Sequence, residues 1–393
     1  LAEEVTDIDE PDDLRALLGD GPVPFPTETK REFKPWHRPR KQYVRRAQWS
    51  REIGFLARDL NLSQGELRYL TLPGNDLLDI RHIADTVCLR HEVTLRYLGF
   101  DTAAMPQSAD QTGLNIAQFS VKGMNFIHPE SEVFPGDFRE VGISNSVPWR
   151  RIRREGPFHA INIDLCGGFA GREKSSGIPN YFKALQAILQ NQASSDEEFL
   201  LFITTRMDDD SVAEDKKETL IQLAQEIHDA CQEYASEFAK AWGVQESSSP
   251  VQVSEHFGAG EAFMLGLTQW IISHGVDVGL KASVKSFMTY RTGSEPGEDD
   301  IVSLAIRFKP DPFIPADRYG LAEPSMIPES HAGKLCKQSA AAPKRVRDRV
   351  HVDEILRTSA EEFQKCIEES SKLLGAAGYD PDRYSEWATQ ESG

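Results

Sequence analysis

No run of about eighteen or more apolar residues occurs in this 393-residue sequence, so no segment reads as a membrane-spanning helix. The first residues, LAEEVTDIDEPDD, lack the basic start and apolar centre of a secretory leader. Cysteine is sparse. Cys88, Cys166, Cys231, Cys336 and Cys366 are scattered and never spaced as CxxC, so the sequence predicts neither a disulfide framework nor a zinc site. Five such scattered cysteines predict a reducing, cytoplasmic home. Positive charge is also in deficit: 44 Lys and Arg stand against 62 Asp and Glu, a net charge of −18. That balance opposes indiscriminate nucleic-acid binding by the whole surface, though a local basic patch remains open to it. GxGxxG, a P-loop, HExxH, GxSxG and EF-hand spacing are all missing, and no internal repeat is found.

What the sequence does contain is a series of short apolar strands with distinctive ends. They read LRYLTLPG (67–74), VTLRYLGFD (93–101), SEVFPGD (131–137) and FHAINIDLCGG (158–168). A fifth, FLLFITTRMD, covers 199–208. Helical periodicity separates them: 42–60, 77–91, 113–123 and 180–191, then a long helix over 213–242 and another over 259–274. Two further β-like runs, 284–291 and 300–308, flank an acidic loop and form a hairpin candidate. Alternating β and α segments imply right-handed crossovers. The predicted fold is α/β, a doubly wound, mainly parallel seven-stranded sheet with one antiparallel strand. Four regions follow: an acidic, disordered tail at 1–29 with a short helix at 12–18; a basic arm and helix at 30–63; the α/β domain at 64–310; and a Pro-rich loop with a helical extension at 311–393.

Each strand end can be given a task, because ligands of doubly wound sheets sit outside the carboxyl ends of the strands. Pro73 and Gly74 make a turn that lets backbone approach a ligand. Asp101 follows Gly74 by 27 residues, near the ~20 at which an acid meets a ribose diol. Asp137 is placed for an adenine amine, and Asp164 for the reacting end of a nucleoside cofactor. A dinucleotide would need a glycine-rich phosphate cradle, which is missing; S-adenosylmethionine has no phosphate and carries a sulfonium cation that acids tolerate.

On these residues the chain resembles the Rossmann-like SAM-dependent methyltransferase superfamily, over roughly 64–309. GFD (99–101), GDF (136–138) and INIDLCGG (161–168) match its motifs after strands two, three and four. The first loop, LPGNDLLD, departs from the superfamily's usual GxGxG, and His159 stands where an acid is common before strand four. The resemblance implies S-adenosylmethionine as cofactor, held by Pro73, Gly74, Asp101, Asp137 and Asp164, with Asp164 facing the acceptor. Cys166 is a candidate nucleophile toward a pyrimidine carbon. Plainer roles stand beside these: Asp101 and Asp137 as helix caps, Asp79 as an ordinary residue of a helix's opening turn, Cys166 and His159 as packed side chains.

Lys30 to Arg51 is rich in cations, with Trp36, His37, Tyr43 and Trp49 among them. Arg38, Arg40, Lys41, Arg45 and Arg46 are candidates for DNA or RNA phosphates; the alternative is a solvated helix covering one edge of the sheet. A second cluster, Arg150, Arg151, Arg153 and Arg154, precedes strand four on its amino side and suits acids of a protein partner. Two functions stay open. One is methyl transfer to a nucleic acid or nucleotide-bearing substrate. The other is a catalytically silent binding subunit of a bacterial multi-protein assembly, working through its basic arm.

Overall fold

The structure is a computed structural model and describes residues 29–30, 32–165, 167–171, 177–244, 251–293, 297–311 and 329–390. The acidic tail, Cys166 and most of the Pro-rich loop lie outside the described residues. The strands are β1 (Glu66–Thr71), β2 (Thr94–Asp101), β3 (Glu132–Pro135), β4 (Ala160–Asp164), β5 (Phe199–Arg206), β6 (Leu280–Tyr290), β7 (Ile301–Pro310) and β8 (Val350–His351). They form one sheet in the order β3-β2-β1-β4-β5-β7-β6-β8. The first five are mutually parallel, and β7 runs antiparallel to both β5 and β6. The sheet is therefore doubly wound and mainly parallel, as expected, with eight strands where seven were expected. The eighth is two residues long and pairs with Met288 and Thr289 at the end of β6, too short to leave a period in the sequence.

The helices are α1 (39–59), α2 (78–91), α3 (Gln111–Lys122), α4 (Val147–Glu155), α5 (Tyr181–Gln192), α6 (Glu214–Ala230), α7 (Gln232–Trp242), α8 (Ala259–Asp277), α9 (His331–Ser339), α10 (Ala342–Arg347), α11 (Val352–Thr358), α12 (Ala360–Ala376) and α13 (Pro381–Gln390). Among the described residues none is long and apolar enough to cross a membrane. Alternation along the strands assigns the two faces: Leu67, Tyr69, Leu95 and Tyr97 join the core beneath α1, α2 and α3, while Leu70, Leu98 and Phe100 join the core beneath α5, α6 and α8. β5 is buried on both faces and reads accordingly as a continuous apolar run.

Two helices expected from periodicity, the long one over 213–242 and one over 352–374 within the helical extension, are each broken once. Cys231 adopts extended angles (φ −128°, ψ 104°) between α6 and α7, and Ser359 (φ −120°, ψ 98°) does so between α11 and α12, where its hydroxyl caps the next helix. The apolar stripe runs on across both breaks, so the period hides them. The cysteine expectation is corrected at the same place: Cys231 is disulfide-bonded to Cys336 of α9, a pairing across 105 residues that no local spacing announces. Cys88 and Cys366 are free and buried.

A third apolar cluster lies beyond the sheet. Ile367, Leu374, Tyr379, Tyr384 and Ala388 from the C-terminal helices gather with Leu78 of α2 and Phe33 of the N-terminal segment. Lys30 makes a backbone bridge to Tyr379, so the two ends of the described chain meet near the start of α2.

Candidate functional site

The chain leaves β1 through Leu72-Pro73-Gly74-Asn75-Asp76 and enters α2. Gly74 sits in the left-handed region at φ 64°, where glycine is favoured, and Leu77 reaches the same region at φ 53°. Gly99 of β2 lets this turn settle, since a Cβ there would lie 3.0 Å from the Pro73 ring and 3.1 Å from Val133. Above the turn is a cavity of about 640 Å³. Its floor is Pro73, Gly74 and Asp76 after β1 and Asp164 and Leu165 at the end of β4. Arg206 and Tyr290–Thr292 close one side, from the ends of β5 and β6. Lys30, Lys34, Arg40, Lys41 and Arg45 form the roof, with Asp110 of the β2–α3 connection at the far side.

The basic segment is thus a wall of the cavity and not an arm in solvent. Four of the five cations expected to meet nucleic-acid phosphates, Arg38, Arg40, Lys41 and Arg46, have partners within the protein. Lys41 is buried and donates to Asp164 at 2.5 Å, with its ammonium 4.7 Å from the Trp49 ring centre. Burial alone would lower the Lys41 pKa, but Asp164 and then Tyr290 outweigh it and hold it above its ordinary value. Arg40 pairs with Asp353 at 2.5 Å and donates to the carbonyls of Arg291 and Gly293 at 3.0 and 2.8 Å. Arg38 donates to the Thr292 carbonyl, and Arg46 pairs with Glu362 of α12. Arg45 is 5 % exposed.

Asp76 ties the roof to the floor. Its Oδ1 accepts from Lys30 at 2.5 Å, its Oδ2 accepts from the Tyr379 hydroxyl at 2.9 Å, and His37 Nε2 lies 3.6 Å away. Burial opposes ionisation, yet the nearby His37 ring and the hydrogen bond from Lys30 prevail and bring Asp76 down to about 2. On the β5–β7 side, Arg206 reaches Asp300 at 3.3 Å and Asp208 at 3.4 Å.

Of the residues expected to hold a nucleoside cofactor, the structure brings Pro73, Gly74 and Asp164 onto one cavity. Asp101 and Asp137 stand at the adjacent ends of β2 and β3, where the Gly136 N–H approaches the Asp101 carbonyl at 3.5 Å, but neither lines that cavity. Asp101 accepts the Ala103 N–H at 2.8 Å, and burial pushes its pKa up. Asp137 accepts the Arg139 N–H at 2.9 Å and pairs with its guanidinium at 2.5 Å; burial works against the charge, but Arg139 holds the carboxyl below its ordinary value. Both are helix caps in this state. Asp79 is buried off the cavity and accepts from the Thr71 and Tyr69 hydroxyls at 2.6 and 3.0 Å. His159 is packed at the opposite end of β4, where its Nδ1 accepts the Arg68 N–H at 2.9 Å.

Residues 30–389 match the model of a family described as PP_RS20740-like. The chain belongs to the PP_RS20740-like family. A comparison with curated protein sequences finds no match for this family member. Among solved structures it is similar to Trm1 from Pyrococcus horikoshii in complex with S-adenosyl-L-methionine, at 11% identity and a TM-score of 0.35, over 71% of this chain and 56% of that one. It is similar to an O-methyltransferase family protein from Burkholderia thailandensis at 13% identity and a TM-score of 0.27, over 67% and 57%. The third is the 23S rRNA methyltransferase ErmE, at 12% identity and a TM-score of 0.28, over 87% and 98%. The matched region spans a little over half the length of the first two.

Sequence reasoning overlooked Asp76, Arg206, Tyr290, Arg291 and Tyr379. Asp76 and Arg206 had a signal, a charged residue in the turn after a β-strand or at the strand's carboxyl end. Tyr379 had none, because its place at the cavity depends on how the C-terminal helices dock.

Proposed function

We propose that this PP_RS20740-like protein binds S-adenosylmethionine in the cavity above Pro73–Asp76 and transfers its methyl group to a nucleic acid or a nucleotide-bearing substrate. The observation that carries the reading is where the cavity lies. Strand order reverses between β1 and β4, and ligands of doubly wound sheets collect outside the carboxyl ends of the strands at that switch point. The size is right for a small molecule, within the ~300–1,000 Å³ typical of ligand pockets.

The residues present fit the group. The turn offers one glycine and no phosphate cradle, which suits a cofactor without phosphate. Asp110 and Asp164 put carboxylates on the wall, compatible with a sulfonium. Asp101 and Asp137, expected at the ribose and the adenine, lie off this cavity as helix caps, so the contacts assigned to the cofactor are those of Pro73, Gly74, Asp110 and Asp164. When bound, the cofactor supplies a methyl group on a good leaving sulfur. The protein's role is positioning: Lys41 fixes Asp164 at the end of β4 and also donates to the Tyr290 hydroxyl at 3.4 Å on the cavity wall.

A second reading, a silent binding subunit, is favoured by one observation. The Lys41–Asp164 pair neutralises the acid that would face an acceptor. Calorimetric titration of the full chain with S-adenosylmethionine and S-adenosylhomocysteine tests the shared premise. Heat and an upward thermal shift with either are expected; neither signal with either ligand would overturn the cofactor reading. Transfer of labelled methyl to RNA or DNA then separates the two, since binding without transfer supports the silent subunit.

A further inference from the structure

Arg45 is the anomaly of the cavity wall. Every other cation lining the cavity has a carboxylate within ion-pair distance. Arg45 has none among the described residues, although it is 5 % exposed and faces the cavity. Its Nε is buried without a hydrogen-bond partner. Asp164 and Asp79 act on it only through space, Asp164 being taken by Lys41 and Asp79 by two hydroxyls. His82, next to it, offers no compensation: burial, then Arg45 and Arg46, push its pKa down to about 3, so the ring is neutral at physiological pH.

Guanidinium groups buried this deeply are costly unless paired, and the planar fork of Arg matches two oxygens of a carboxylate or phosphate. A polar side chain that is sequestered, charged, unpartnered and directed into a cavity of ligand size lacks its counter-ion. We propose that Arg45 receives an anionic group, a carboxylate or phosphate, of the molecule bound in this cavity. Two sources present that chemistry: the amino-acid carboxylate of the methyl donor, which rests on the function proposed above, or the phosphate of a nucleotide-bearing acceptor, which does not require the donor to bind there.

The test uses the full chain, wild type and Arg45→Met, titrated with three probes: S-adenosylhomocysteine, 5′-methylthioadenosine (the same thionucleoside without the carboxylate) and inorganic phosphate. Arg45→Met removes a charge that has no ion-pair partner among the described residues, so its thermal midpoint is expected at or above that of the wild type. If the donor's carboxylate sits on Arg45, the variant binds S-adenosylhomocysteine at least tenfold more weakly while methylthioadenosine is unchanged. If the acceptor's phosphate sits there, both nucleosides are unchanged and phosphate affinity falls tenfold or more. Wild type that binds neither nucleoside but binds phosphate through Arg45 would overturn the cofactor reading and leave this one standing. Equal affinities of both proteins for all three probes, or no binding of any by the wild type, would overturn the assignment. Arg45→Lys serves as second variant should the first misfold: it keeps the charge but not the fork, and an intermediate loss is expected.

Discussion

Asp76 should act as the clamp that holds the roof of the cavity to its floor, and Asp76→Asn measures it. The carboxylate is joined by Lys30 at 2.5 Å from the N-terminal segment and by Tyr379 at 2.9 Å from the loop between α12 and α13. Its pKa falls from 3.8 to about 2 in the folded protein. A difference of nearly two units, at 1.36 kcal/mol per unit, corresponds to about 2 kcal/mol, in line with hydrogen bonds to charged groups. The sign follows from linkage. A carboxyl depressed by folding contributes stability that is complete above the unfolded value of 3.8 and is lost as pH falls through the folded value near 2. Urea unfolding of the two proteins at pH 7 should therefore show Asp76→Asn weaker by about 2 kcal/mol. The gap should persist down to about pH 4 and close toward pH 2. Hydrogen exchange at 32–37 and 379–384 should quicken in the variant, since both ends of the chain lose the same anchor. Equal midpoints at pH 7, or a gap unchanged at pH 2, would refute the clamp.

Lys41→Met strands Asp164 without its cation and should destabilise the fold by ~3 kcal/mol, the low end for breaking a buried pair because the Asp164 side chain keeps 23% exposure; adding Asp164→Asn should restore most of the loss, read as urea midpoints of the single and double variants. Gly266 of α8 is where α6 comes closest: a Cβ there would stand 2.2 Å from the Leu220 carbonyl oxygen, so Gly266→Ala must push the helices apart and should cost upwards of ~2 kcal/mol in thermal unfolding. Gly260→Ala in the same helix, whose nearest neighbour is the flexible Met207 sulfur at 3.3 Å, should lie within ~1 kcal/mol of wild type and serves as its control.

Much of the architecture was legible in order. β1 to β5 and the helices between them, except α4, announced themselves by period, because each strand must bury alternate or continuous apolar residues and each helix a stripe; α4, at 147–155, was read only as an arginine-rich segment. The turn at Pro73-Gly74 and the acid ending β4 were legible as well, since backbone approach and strand-end carboxylates leave residue-type marks. What stayed hidden was pairing. Cys231 and Cys336 are 105 residues apart, and nothing in either neighbourhood names the other. The breaks at Cys231 and Ser359 were hidden for a different reason, the apolar stripe continuing through both.

The sequence by itself determined the order and kind of most local elements and the −18 charge, for these depend on neighbours along the chain. Only the tertiary structure decided what the basic segment is for. As a string, 30–51 is a row of cations suited to solvent or phosphate; folded, Lys41 meets Asp164, Arg40 meets Asp353, and Arg45 faces a cavity with no counter-ion among the described residues. A charge's role depends on which opposite charge reaches it through space. That distance exists only once β4, β6 and the C-terminal helices have come together.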